Sequence, residues 1–82
     1  MEEKNRLLDN LDKIHATKLG IERIQRNLKI DSTDVVGFCI GQITDKDCQI
    51  SSKGKNWSCQ TGSIRITVNA SSYTIITAHL LS

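Results

Sequence analysis

Between Lys53 and His79, three runs of residues alternate apolar and polar side chains, and two turn signals separate them. Alternation with a period of two marks strands that are buried on one side only. The runs are Lys-Gly-Lys-Asn-Trp-Ser-Cys-Gln, Ser-Ile-Arg-Ile-Thr-Val-Asn and Tyr-Thr-Ile-Ile-Thr-Ala-His, with Thr61-Gly62 and Ala70-Ser71-Ser72 between them. Together with the segment before them, they predict four strands at about 48–52, 55–60, 63–69 and 73–79. A two-residue turn at Thr61-Gly62 pairs Ser58 with Arg65 and Trp57 with Ile66. A three-residue loop at Ala70-Ser71-Ser72 pairs Asn69 with Tyr73, Thr67 with Ile75 and Arg65 with Thr77. A turn at Lys53-Gly54 pairs Ile50 with Trp57 and Cys48 with Cys59. In this register Trp57, Cys59, Ile64, Ile66, Val68, Ile76, Ala78 and Leu80 point into the core.

The first half of the chain reads as helix. Leu7, Leu11 and Ile14, widened by Leu8, form a stripe at helical spacing over residues 3–16. Thr17 is placed to cap a second helix carrying Ile21, Ile24 and Leu28. Arg23 and Arg26 share an exposed face, either as a solvated basic edge or as a phosphate-facing one. Asp31 followed by Asp34 resembles a capping box for a third helix that runs to about Thr44. Val35, Val36, Cys39, Ile40 and Ile43 are its apolar stripe. Gly37 and Gly41 lie four apart, a spacing that predicts close backbone approach. Helices followed by a meander predict an α+β fold: three N-terminal helices packed on one face of a four-stranded antiparallel sheet.

The 82 residues predict a single domain, 1–82, with a helical part at 1–45 and a sheet at 46–82. The apolar share, 38%, is low, and Phe38, Trp57 and Tyr73 are the only aromatics, so the core is small and a homodimer stands beside a monomer. A net charge of +2 does not by itself announce a nucleic-acid binder. Three cysteines, an odd number without a Cys-x-x-Cys pair, and no recognisable signal peptide predict a cytoplasmic protein with reduced thiols. No run is long enough to span a membrane. Cys39, Cys48, Cys59, His15 and His79 lack zinc-ligand spacing, so no metal or cofactor is expected. Cys48 and Cys59 are expected near each other as small buried hydrophobes. A P-loop, a dinucleotide fingerprint and a Ser-His-Asp arrangement are absent.

The outward sheet face is predicted to carry Asn56, Ser58, Gln60, Arg65, Thr67, Asn69, Tyr73, Thr77 and His79, with Lys53 and Lys55 rising beside it. It is basic and rich in hydroxyls. It reads either as the solvated face antiparallel sheets commonly have or as a site. As a site, Arg65, Thr77 and His79 are the catalytic candidates, and Lys53, Lys55, Asn69 and Tyr73 the ligand-binding ones.

Several segments also carry a resemblance. Lys-Gly-Lys-Asn-Trp (53–57), Ile-Thr-Val-Asn-Ala (66–70) and Tyr-Thr-Ile-Ile-Thr-Ala-His (73–79) resemble the bacterial family DUF3781, as do Asn-Leu-Asp-Lys-Ile-His (10–15) and Leu-Gly-Ile-Glu-Arg-Ile (19–24). That family brings no assigned activity. Its third helix tends to carry Trp and Lys, where this chain has Gly37-Phe38 and Gly41-Gln42. At fold level, helices followed by a four-stranded sheet ending in Ile-Thr-Ala-His look like barnase and RelE-like ribonucleases. That likeness implies work from the exposed sheet face, where Arg65, Thr77 and His79 stand.

Two functions follow as expectations. One is a metal-independent, toxin-like endoribonuclease: His79 moves a proton, Arg65 and Lys55 hold phosphate, and Tyr73 stacks on a base of RNA. It lacks a clear second acid or base, since His15 is expected on a helix behind the sheet. The other is a non-catalytic protein-binding module or inhibitor, such as a phage or mobile-element accessory protein. An outward Ile75 suits that reading, and its partner would be an antitoxin or an inhibited target.

Overall fold

Helices α1 (Glu2–Asp9), α2 (Lys18–Leu28) and α3 (Val35–Ile43) precede strands β1 (Gln49–Lys53), β2 (Asn56–Thr61), β3 (Ile64–Asn69) and β4 (Ile75–Leu80). The computed structural model describes residues 2–30 and 34–81. The strands form one antiparallel sheet in the order β1-β2-β3-β4. The protein is α+β.

The first helix is shorter than its apolar stripe predicts. It ends at Asp9, where the Asn10 side-chain amide donates to the Arg6 carbonyl at 2.7 Å. One turn of 3-10 helix, Leu11–Lys13, follows. The chain then extends: the His15 N–H donates to the Tyr73 carbonyl, and the Ile75 N–H donates to the His15 carbonyl at 2.8 Å. An edge strand leaves such groups open, and the extended segment satisfies them where a helix could not. His15 therefore lies in a bridge beside Thr74 rather than on a helix. Leu7 and Ile14 are buried all the same.

The second helix starts as its sequence requires, with the Thr17 hydroxyl accepting from the Gly20 N–H. The third is capped by Asp34, whose carboxylate accepts from the Gly37 N–H at 2.9 Å. The expected capping residue Asp31 lies outside the described residues. The close backbone approach expected at Gly37 and Gly41 is not what these glycines serve. At Gly37 a Cβ would collide with the capping carboxylate, and at Gly41 it would meet open space.

Both tight turns fall one residue later than the sequence pattern suggests. Gly54 and Gly62 take the first central position of their two-residue loops, with φ of 61° and 58°. A glycine with positive φ at that position is the type II′ arrangement, which matches the twist of the flanking strands. The register consequently slips by two. Ile50 faces Cys59, Ser52 faces Trp57, Gln60 faces Arg65, and Trp57 faces Val68. Cys48 lies before β1 and is not the cross-strand partner of Cys59. A slip of two leaves every side chain on its face, so the inward set on β2 and β3 is as expected.

The third hairpin differs more. Val68 faces Ile75 and Thr67 faces Thr77, so Ile76 is an extra residue, a β-bulge. Ile75 is therefore buried and Ile76 is 40% exposed, the reverse of the expected pair. Leu80, expected in the core, is 43% exposed. The loop before β4 is closed by Asn69, whose side-chain oxygen accepts from the N–H groups of Ser71 and Ser72, both at 2.9 Å.

One cluster joins Leu7, Ile14, Ile24, Leu28, Val35, Cys39 and Ile43 to the inward side chains of the sheet, with Trp57 the largest member. Two long-range bonds tie the layers together. The Asn27 amide donates to the Ala78 carbonyl and the Thr61 hydroxyl to the Gln42 carbonyl.

The glycines give a test with opposite signs. Gly62→Ala forces a side chain into the left-handed region and should destabilise by about 1–2 kcal/mol. Gly41→Ala, in an exposed helical position with open space, should stabilise by about 0.5–1 kcal/mol. Urea denaturation of the two variants beside wild type checks both signs. Equal losses would contradict the turn assignment.

Candidate functional site

The register arranges the outer sheet face in rows. One row is Gln49, Gln60, Arg65 and His79; the next is Ser51, Ser58, Thr67 and Thr77; the third is Lys53, Asn56 and Asn69. Each row comes from residues directly opposite one another on adjacent strands, which share a face. No apolar side chain interrupts these rows.

A cavity of about 260 Å³ opens across all three rows, lined by Lys53, Asn56, Trp57, Ser58, Arg65, Thr67 and His79. Arg65 and His79 are direct cross-strand partners within it. The Arg65 Nη2 donates to the Gln60 side-chain oxygen at 3.3 Å, while its Nε is buried without a hydrogen-bond partner. A buried guanidinium N–H without an acceptor is costly and calls for one. No carboxylate lines this cavity among the described residues. Asn56 accepts from the Asn69 amide at 3.4 Å.

Of the residues proposed from sequence, Lys53, Arg65 and His79 meet in the cavity. Thr77 stands on the same face but pairs with Thr67, not Arg65, because the register is shifted. Lys55 sits in the β1–β2 turn, and its carbonyl accepts from the Ala70 N–H. Asn69 organises the β3–β4 loop and reaches the cavity only through Asn56. Tyr73 departs from the outer face altogether. Its φ of 61° breaks the strand alternation, and its ring packs 5.5 Å from that of Trp57, with Lys13 Nζ over it at 5.8 Å. Asn56, Ser58 and Thr67 were legible as outward but not as lining; only the true pairing brings them beside Arg65 and His79.

The other histidine has a separate setting. His15 Nδ1 lies 2.9 Å from the Lys13 carbonyl, and Nε2 lies 2.9 Å from the Thr74 hydroxyl. It is not among the cavity residues, so it supplies no second acid or base there.

Cys39, Cys48 and Cys59 are all buried and free. Among the described residues no group of three His, Cys, Asp or Glu could hold a metal ion. Burial pushes the Cys39 thiol up to about 11, and burial together with neighbouring Cys48 pushes Cys59 up to about 12, from an ordinary 9.0. The folded protein thus keeps these protons at a pH where the unfolded chain has lost them. Their contribution is full below about pH 9 and falls as pH rises towards the folded values. Thermal melts should show stability declining from pH 9 to pH 11, with a shallower decline in Cys59→Val. An identical slope in that variant would contradict the burial of this thiol.

A family model described as "Protein of unknown function (DUF3781)" matches residues 8–79. No curated protein and no solved structure matches the chain. The expected likeness to barnase and RelE-like ribonucleases thus finds no support in these comparisons. Among the described residues no helix is long and apolar enough to cross a membrane.

Proposed function

The chain belongs to the DUF3781 family, and from that premise we propose that the outer sheet face binds RNA through its phosphates and acts as a metal-independent endoribonuclease. The observation that carries this reading is the pairing of Arg65 with His79 in a cavity also lined by Lys53. A phosphate oxygen in the cavity would accept from the guanidinium of Arg65, which lines it. Guanidinium to phosphate is a charge-assisted hydrogen bond, about twice as strong as a neutral one.

His79 is the imidazole among the lining residues, the side chain most often used for general acid–base transfer. In the proposed reaction it accepts the proton of the ribose 2′-hydroxyl, and the 2′-oxygen attacks phosphorus. The 5′-oxygen leaves with a proton from water. Arg65 and Lys53 stabilise the charge that grows on the phosphoryl oxygens. Asn56, Ser58 and Thr67 offer further donors. Ordinary base stacking by Tyr73 is not part of this scheme, because its ring packs against Trp57.

The test is cleavage of a labelled single-stranded RNA in the presence of EDTA. The reading expects cyclic-phosphate ends and unchanged turnover without divalent metal. Absence of cleavage across pH 5–9, with the protein folded, would contradict the enzymatic part of the reading.

A protein-binding module remains the second reading. The exposed apolar residues Leu19, Ile76 and Leu80 favour it, in place of Ile75, which is buried. It places the partner on those residues rather than on the polar rows. Either function fits a protein kept among reduced thiols, as in the cytoplasm.

A further inference from the structure

The polar groups around the cavity are not a balanced mixture. Lys53 and Arg65 only donate hydrogen bonds. The Asn56 amide has its oxygen occupied by the Asn69 amide at 3.4 Å, which leaves its NH₂ as the free group. The hydroxyls of Ser58 and Thr67 can donate, and so can a protonated His79. With no carboxylate among the lining residues, the site lacks a negatively charged partner for a cationic ligand. It suits a small anion with several acceptor oxygens.

The count of charges narrows this further. Two fixed cations and one histidine converge on a cavity of about 260 Å³. A phosphate monoester carries about −1.5 to −2 charges at neutral pH and presents three terminal oxygens. An internal diester carries one charge, presents two, and must lead the chain out of the cavity on both sides. We infer that the cavity is a receptor for a terminal phosphate monoester, at the end of an RNA chain or on a mononucleotide, in preference to an internal phosphodiester. The inference rests only on the phosphate-binding part of the reading above and names a ligand of the site, not the bond that the cleavage step would break. It also gives the Asn69 loop a task. By accepting from Ser71 and Ser72 and donating to Asn56, Asn69 fixes which end of the Asn56 amide faces the ligand.

Calorimetric titration of the full chain tests it with two probes: uridine 5′-monophosphate, and a uridine dinucleotide with one internal phosphate and a 2′-O-methyl block against cleavage. The monophosphate should bind at least about tenfold more tightly. Asn56→Asp keeps the shape and the bond from Asn69 but replaces the donor with a negative charge. It should weaken monophosphate binding by at least about tenfold without changing the melting temperature. Should that variant melt early, Asn56→Ser carries the same test through loss of the amide donor. Equal or tighter binding of the dinucleotide overturns this inference and leaves the RNA reading standing. Binding of neither probe overturns both. Tight monophosphate binding, with longer RNA neither bound nor cleaved, supports the receptor and overturns the nuclease.

Discussion

Trp57→Ala should destabilise the protein by about 3–5 kcal/mol, the range for emptying a buried Trp site. A chain of 82 residues has a total stability on the order of 4–12 kcal/mol, so this one change removes a large part of it. Trp57 is 1% exposed and is the largest of the fully buried side chains. Its ring joins the core of the sheet to Tyr73 at 5.5 Å and carries the Arg6 guanidinium at 5.2 Å from its centroid. Truncation leaves a void beneath both. A melting temperature lower by about 12–40 °C follows from the same energy. Trp57→Phe should be much milder, because the indole Nε1 is buried without a hydrogen-bond partner and its loss breaks no bond. Thermal melts of both variants decide the matter. A Trp57→Ala protein that melts within a few degrees of wild type would contradict the placement of this residue.

His79→Ala should lower RNA cleavage by roughly two to four orders of magnitude, the scale of a lost general acid or base. Arg65→Ala should act on the same step through the transition-state charge, by about two to three orders. Both residues sit half-buried on the outer face rather than in the core, so the fold should survive. Thr77→Val should have a small effect, since Thr77 faces Thr67 and does not line the cavity. Lys53→Ala should weaken binding without regard to sequence and reduce its salt dependence. Single-turnover kinetics separate these expectations. A His79→Ala rate within a factor of two of wild type would remove His79 from the chemistry.

Much of the sheet was legible because alternation is a strong signal and both short turns contain one glycine. The placement of each glycine within its turn was not. A II′ turn wants glycine first, and the sequence reading put it second, which shifted both registers by two. Parity survived that shift, so Trp57, Cys59, Ile66 and Val68 stayed inward and Arg65 and Thr67 outward. The bulge at Ile76 was hidden for a different reason. Two adjacent isoleucines satisfy an apolar pattern whichever of them is buried. The end of α1 was hidden because the choice between helix and bridge at His15 depends on Thr74, far away in sequence. The cavity itself depends on which residues stand opposite one another, and composition says nothing about that.

The central claim is that the outer face around Arg65 and His79 is the working surface. Its most direct test is a titration of wild type and of the Arg65→Ala, His79→Ala double variant against the same single-stranded RNA, at two salt concentrations. The account predicts saturable binding by wild type that weakens with salt, and a double variant that folds normally but binds at least about a hundredfold more weakly. A folded double variant that binds RNA as tightly as wild type would contradict it.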